Sequence, residues 1–279
     1  MLKIFCDGSN KDGFLTLGVI AATEDVWTDL DHAWNQVLQT YRNIPALHMT
    51  DVRSGEGDFE NWPIEERNSL VDQLVQKLYR FRSNPKIHAF KCTVDLRAHD
   101  EISARKTLPS PARICARIVT PHVIEWYWRL EEPIIKGSIG IYFDRNEEFM
   151  RHIHEDWKSP VIRERYPTWQ QIRTIEKCQA TGNPGLQIAD MIAWGTNNLA
   201  LALSKSDAPW KADHEGYAVA VQSANNIRRI GRVVDANALE KSKFEEEGFA
   251  VINPQRLKQA EQAFLRRALI KRTEGSEVP

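Results

Sequence analysis

Three aspartates stand where a carboxylate can do chemistry. Asp7 follows the short apolar run LKIFC, and Asp144 follows the apolar run GSIGIYF. Asp190 lies near the start of an apolar stretch, 186–203. An ionised aspartate among apolar neighbours is costly unless it pairs with a cation or coordinates a metal. Because Mg²⁺ and Mn²⁺ prefer oxygen donors that converge from separate elements, the three residues together predict a divalent-metal site.

Each aspartate also has a simpler interpretation. Asp7 precedes Gly8 and Ser9, which is typical of a turn. Asp144 is suited to cap a helix that begins after it. Asp190 is suited to a structural ion pair with an arginine. These alternatives stay open for each residue taken singly, whereas one metal site accounts for all three at once.

The elements that must position these aspartates alternate between strand and helix patterns. Apolar, β-prone runs at Leu2–Cys6 and Phe14–Ala22 flank a polar loop with glycine, which predicts a hairpin. Asp7 and Asp144 are then each the last residue of a strand, where α/β sheets bind their ligands. The periodicity predicts further strands at 86–95, 137–143, 171–177 and 231–235, and helices at 29–42, from 63, 111–128, 147–157, 186–203, 216–229 and 254–272.

The loop at 44–62 is polar and irregular, and a loop of this length in a compact domain is more often functional than idle. The charged helix at 147–157 carries His152, which is predicted to face solvent. Both features lie close in sequence to elements that hold an aspartate.

Composition places the chain among ordinary globular proteins. It has 279 residues, which suits one large domain or one domain with a small appendage. Its residues are 42% hydrophobic and 27% charged, which allows a core and argues against disorder. A net charge of -1 gives no overall field towards nucleic acid or membrane, so a nucleic-acid partner must be attracted by a local patch.

The cysteines and the apolar runs indicate the cellular compartment in which the protein is expected. The four cysteines form no C-x-x-C pair, so neither a disulfide framework nor a zinc site is predicted. Cys6, Cys92 and Cys178 lie in strand-like runs and are expected to be buried thiols. No apolar run approaches the roughly 18 residues of a membrane span, and the start is not typical of a signal peptide. A cytoplasmic protein without a membrane partner is the expectation.

Four segments occur in an order that is typical of a known family. They are the strand ending in Asp7-Gly8-Ser9, the loop His48-Met49-Thr50-Asp51, the strand Ile141-Tyr142-Phe143-Asp144 and the helix Leu186-Gln187-Ile188-Ala189-Asp190-Met191-Ile192. Together they resemble the bacterial and phage-associated family catalogued as domain of unknown function 3800, which is thought to share the ribonuclease-H-like fold. The Leu-Gln-Ile-Ala-Asp helix is the most specific piece. The first motif departs from the usual Asp-Glu-Ser-Gly, since Gly8 removes a second carboxylate.

The resemblance implies an architecture and places for the acids. It implies an α/β, ribonuclease-H-like mixed sheet with helices on both faces, a domain at 1–203 and a C-terminal helical appendage at 204–279. One aspartate belongs on the first strand, one acid on a middle strand and one aspartate on the final helix, which Asp7, Asp144 and Asp190 fit. His48 and Asp51 are the favoured further catalytic candidates.

The resemblance also implies an activity, a metal-dependent nuclease that hydrolyses phosphodiester bonds with Mg²⁺ or Mn²⁺. Its setting would be phage defence or a mobile element, with nucleic acid as partner. Asp7, Asp144 and Asp190 would hold the ions. Ser9 and Gln187 would keep these ligands in place or touch the substrate, and Arg145 would neutralise a phosphate or pair with Asp144.

Two other classes of function stay open. A phosphohydrolase acting on a nucleotide or another small phosphate ester would use the same acidic site in a closed pocket. A non-catalytic nucleic-acid-binding module would keep only the fold. The loss of a carboxylate at Gly8 is consistent with this alternative. The sequence leaves the oligomeric state undetermined.

Overall fold

A computed structural model describes residues 1–81, 83–105, 107–130, 137–144, 148–165, 167–204 and 229–234. These residues include six strands: β1 (Leu2–Lys11), β2 (Phe14–Thr23), β3 (Ile87–Asp95), β4 (Ile139–Phe143), β5 (Ile172–Lys177) and β6 (Arg229–Val234). The α-helices are α1 (Glu24–Thr40), α2 (Met49–Ser54), α3 (Ile64–Arg80), α4 (Leu96–Ser103), α5 (Pro111–Trp128), α6 (Glu148–Lys158), α7 (Pro160–Arg165) and α8 (Pro184–Ser204). The predicted helices at 216–229 and 254–272 lie outside the described residues.

The strands form one mixed sheet in the order β5-β4-β1-β2-β3-β6. β2 pairs antiparallel with both β1 and β3, and the other neighbouring strands pair in parallel. The predicted α/β class is therefore confirmed. β6 lies beyond the predicted domain boundary at residue 203, yet it pairs with β3 and so belongs to the same sheet.

The hairpin β1–β2 is longer than the apolar pattern predicts. Its ladder continues from Leu2 opposite Thr23 to Lys11 opposite Phe14. The turn uses Asp12 and Gly13 at φ values of 55° and 85°, as a tight two-residue hairpin requires.

The prediction that Asp7 ends its strand was wrong, since Asp7 lies in the middle of β1. The polar residues after it look like a turn, but they keep pairing because the apolar partner strand β2 fixes the ladder.

Helices cover both faces of the sheet and divide the interior into two cores. The first core holds Cys6 and its alternate neighbours on β1, packed against α5 and α6. The second core holds Phe5 on the opposite face, under α1, α3 and α8. Side chains of a strand alternate between faces, so Asp7 belongs to the second face.

Two further sequence predictions need correction. The loop 44–62 is not irregular throughout, because it contains α2 and a 3₁₀ turn at Gly57–Phe59, with Phe59 buried. His152 does not face solvent; it is buried at 5% exposure between α6 and α5.

Cys6 and Cys92 are buried as predicted, whereas Cys178 follows β5 and is only half-buried. In the described part of the chain, none of the helices has the length and apolar character needed to cross a bilayer.

Gly18 sets the distance between α8 and the sheet. A Cβ at this position would lie 2.5 Å from the backbone N of Ala193 and 2.6 Å from the carbonyl O of Ala189. Because both atoms belong to the helix backbone, side-chain rotation offers no relief. The close approach of α8 to β2 therefore depends on glycine here.

Gly18→Ala is expected to destabilise the protein by about 3 kcal/mol, the upper end of the usual cost of overpacking. Urea unfolding followed by circular dichroism measures the loss. Gly140→Ala is the matched control, since its Cβ would approach the side chain of Tyr142, at 2.6 Å from the hydroxyl, and a side chain can move. An equal loss in both variants would contradict the role assigned to Gly18.

Candidate active site

Asp7 and Asp144 lie at the same level of two neighbouring parallel strands. The register pairs Cys6 of β1 with Phe143 of β4, and each aspartate is the next residue along its chain. Such strands lie about 4.8 Å apart. Cys6 belongs to the first core, so alternation along β1 directs Asp7 to the opposite face, which α8 covers. Asp144 directly follows the last residue of β4, and its charge acts on Asp190 of α8.

α8 brings the third aspartate to this face. Gly18 is the antiparallel partner of Asp7, and it lies against the backbone of Ala189 and Ala193. Asp190 follows Ala189 in the same helical turn and is only 8% exposed. The close packing of α8 on the hairpin is therefore what carries a helix-borne carboxylate to the strand-borne ones.

The pKa of Asp190 is shifted by its burial and by the groups near it. Burial is the largest cause of its raised pKa, and the negative charges of Asp144 and Asp51 raise the pKa further. His48 lowers this pKa, and so does the N–H of Met49, which donates to Oδ2 of Asp190 at 2.7 Å. The Met49 N–H contacts this carboxylate directly, and His48, Asp144 and Asp51 act on it through their charges.

The structural ion pair that the sequence left open for Asp190 finds no support. In the part of the chain that the structure describes, no lysine or arginine pairs with this carboxylate. His48 and the Met49 N–H offset part of the cost of its burial, and burial remains the largest cause of its raised pKa.

The segment 44–54, called the site arm below, carries the two further candidates. His48 precedes α2 in an extended conformation, with φ -128° and ψ 116°, and Asp51 lies in the first turn of α2. Nδ1 of His48 is 3.6 Å from Oδ1 of Asp51, and both side chains are partly exposed. The arm thus presents an imidazole and a carboxylate beside Asp190.

The donor set suits a hard divalent cation by its chemistry. Carboxylates from β1, from the end of β4 and from α8 are the oxygen ligands that Mg²⁺ and Mn²⁺ prefer. A cation would also offset the burial and the like-charge repulsion that act on Asp190. Among the described residues, however, no three His, Cys, Asp or Glu side chains form a ready-made ligand set. Ligation would therefore require side-chain rotations that gather the carboxylates.

Comparison with known proteins leaves the family undetermined. No family model, no curated protein and no solved structure matches the chain. The likeness to the domain of unknown function 3800 family stays a prediction from motifs, and function is inferred from the chemistry of the site.

The remaining predicted residues lie in different surroundings. Ser9 is two residues beyond Asp7 on β1, and its carbonyl accepts a hydrogen bond from Asn197 of α8 at 3.2 Å. Gln187 is 1% exposed and its side-chain amide bonds to protein groups at both ends, so it holds structure together and does not face a substrate. Arg145 lies outside the described residues.

Two groups near the acids were not predicted from the sequence to be part of the site. The first is the N–H of Met49, since a backbone donor leaves no mark in the sequence. The second is Cys178, which follows β5 as Asp144 follows β4. Burial, then the charges of Asp144 and Glu176, raise the pKa of Cys178 to about 11. Its place one residue after a strand was the signal that could have revealed it.

Proposed function

We propose that this chain is a metal-dependent nuclease that hydrolyses phosphodiester bonds in nucleic acid. The observation that carries the proposal is Asp190, a buried carboxylate that pairs with no lysine or arginine among the described residues. It lies in the electrostatic field of Asp144 and on the sheet face of Asp7. A buried carboxylate close to other acids is typical of a metal or catalytic site.

The sheet supports the ribonuclease-H-like part of the proposal. An antiparallel hairpin begins the sheet, β4 and then β5 continue it in parallel on the other side of β1, and helices cover both faces. The acids lie on β1, directly after β4 and on α8, and this supports the places on a first strand, a middle strand and a final helix that the resemblance implies.

Each acid would have a distinct part in the reaction. Asp7 and Asp190 would hold the ions from the sheet and from the helix, and Asp144 would bind the ion nearest the attacking water. Bound Mg²⁺ or Mn²⁺ ions would activate that water and stabilise the leaving oxygen. His48 and Asp51 are partly exposed beside Asp190, where a proton can be exchanged with the substrate or with solvent.

Purified wild-type protein is expected to cleave at least one of four substrates, single-stranded DNA, duplex DNA, RNA or an RNA–DNA hybrid, when Mn²⁺ or Mg²⁺ is supplied. Asp7→Asn and Asp144→Asn should each lower the cleavage rate by more than about 100-fold, because groups that merely support metal ligands already contribute 10–100-fold. Gel analysis of end-labelled substrates measures the rates.

Asp12→Asn is the matched control, since Asp12 is an exposed turn residue of the same hairpin and asparagine tolerates its positive φ. It should retain full activity. Full activity of Asp7→Asn or Asp144→Asn would refute the shared site. Hydrolysis of nucleotides or bis(4-nitrophenyl) phosphate without cleavage of any polymer would instead favour a small-molecule phosphohydrolase.

A further inference from the structure

Gln187 ties three separate segments together inside the second core. Its Oε1 accepts from the indole N–H of Trp34 at 2.8 Å and from the backbone N–H of Leu47 at 3.0 Å. Its Nε2 donates to the carbonyl of Ala180 at 2.9 Å. The bonds from Trp34 and to Ala180 orient the amide, so that Oε1 can also accept the N–H of Leu47 in the site arm.

The site arm meets α8 through two matched hydrogen bonds. The N–H of Leu47 goes to Gln187, and the N–H of Met49 goes to Asp190. Residues three apart on a helix share one face, and alternate residues of an extended chain point to one side. His48 is extended, so the spacing of the two donors fits the spacing of the two acceptors.

This geometry determines where His48 points. Leu47 and Met49 are fully buried at 0% exposure, whereas the side chain of His48 between them is 48% exposed. Since neighbours in an extended chain face opposite sides, docking of the flanking residues turns the imidazole outwards.

The far end of the arm is secured separately. Arg67 of α3 donates from Nη1 to the carbonyl of Val52 at 2.6 Å, near the last residues of α2. Gly55 follows in the left-handed conformation that ends this helix. The end that carries His48 therefore depends on α8, and the opposite end depends on α3.

We propose that Gln187 is the positioning residue of the site, because it fixes Leu47 and thereby seats His48 and the Met49 N–H at Asp190. The arm's anchoring follows from the hydrogen bonds alone. Its consequence for metal binding and catalysis rests on the proposed function. Gln187 and Asp190 act as a pair of acceptors on α8. Gln187 holds the arm against the helix, and Asp190 binds it at the acidic site.

Residue-resolved amide hydrogen exchange of the full chain tests the anchoring. Gln187→Met keeps the length and volume of the side chain but removes the acceptor. The exchange rates of the Leu47 and Met49 amides should rise about tenfold, the value of roughly one hydrogen bond, while those of Val19 and Ile20 in β2 stay within about twofold. Gln187→Glu restores an acceptor oxygen but, when ionised, cannot donate to the carbonyl of Ala180, so it should recover only part of the protection.

Asn198→Ala is the matched control, since this amide of the same helix donates within α8, to the carbonyl of Trp194 at 2.8 Å, and among the described residues it contacts no part of the site arm. It should leave the exchange of Leu47 and Met49 unchanged. If Gln187→Met disturbs the whole fold, amide exchange of the wild-type protein still tests the anchoring. Unprotected Leu47 and Met49 amides in the native protein would overturn the inference.

Mn²⁺ binding, measured by the electron paramagnetic resonance of the free ion, separates the two proposals. Gln187→Met should weaken binding about tenfold, as loss of a group that supports a ligand does, and Asn198→Ala should leave it unchanged. Wild-type protein that binds no Mn²⁺ and cleaves nothing would refute the proposed function but not the anchoring. Unchanged exchange at Leu47 and Met49 in Gln187→Met would refute the anchoring whether or not the protein is a nuclease.

Discussion

Asp190→Asn is expected to abolish metal-dependent cleavage while leaving the fold intact. Asparagine keeps the size of the side chain and keeps an oxygen that can accept the N–H of Met49. It lacks the negative charge that attracts a cation, so the rate should fall by well over about 100-fold. Removing an ionised group that is 8% exposed also removes a burial cost, so the free energy of unfolding without metal should stay equal or rise.

Three measurements together test this prediction. Cleavage assays with Mn²⁺ give the rate, titration with Mn²⁺ gives the affinity, and thermal unfolding in a chelator gives the stability. Asp51→Asn is an informative comparison, because Asp51 is 40% exposed and acts on Asp190 only as a neighbouring charge. A large stability loss in Asp190→Asn, with normal Mn²⁺ affinity, would mean that Asp190 is a structural residue.

Asp156→Asn is expected to lower the free energy of unfolding by about 3–5 kcal/mol, the usual result of breaking a buried ion pair from one side. The carboxylate of Asp156 is 4% exposed and lies 3.3 Å from Nε of Arg117, whose side chain is 9% exposed. A second arginine, Arg113, lies 3.5 Å away. Without the acid, Arg117 would keep its charge inside the interface of α5 and α6.

Urea unfolding measures this loss, and two further variants make it specific. Glu155→Gln should cost at most about 1 kcal/mol, because Glu155 is 48% exposed and 3.9 Å from Arg113. Replacing Asp156 with Leu and Arg117 with Met together should recover much of the stability, since no buried charge is then left alone. An equal cost for Asp156→Asn and Glu155→Gln would show that burial does not govern this network.

The sequence predicts most of the local elements, because its patterns reflect local burial. The apolar runs before Asp7 and Asp144 are strands, and the apolar stretch around Asp190 is a helix. The cost of burying an acid in such a run is also a local property, so all three aspartates could be selected before their arrangement was known. Two polar positions in that helix, Gln187 and Asp190, are visible at helical spacing as well.

The meeting of these elements is decided only in three dimensions. Asp7 reaches the site from mid-strand because β2 holds the polar half of β1 in the ladder. Asp190 reaches it because Gly18 lets the backbone of α8 approach the sheet. Neither contact has a sequence pattern, since each joins residues far apart in the chain.

The surroundings of the acids are likewise a tertiary result. Gln187 was predicted to keep the ligands in place or to touch the substrate, and its hydrogen bonds join α1, the site arm and the segment before α8 to this helix. The Met49 N–H and the buried His152 were not predicted, because backbone donors and the burial of a polar helix face depend on the neighbouring element. The sequence by itself determined which residues were costly to bury. The tertiary structure decided which of them meet, because packing joins segments that local periodicity describes only one at a time.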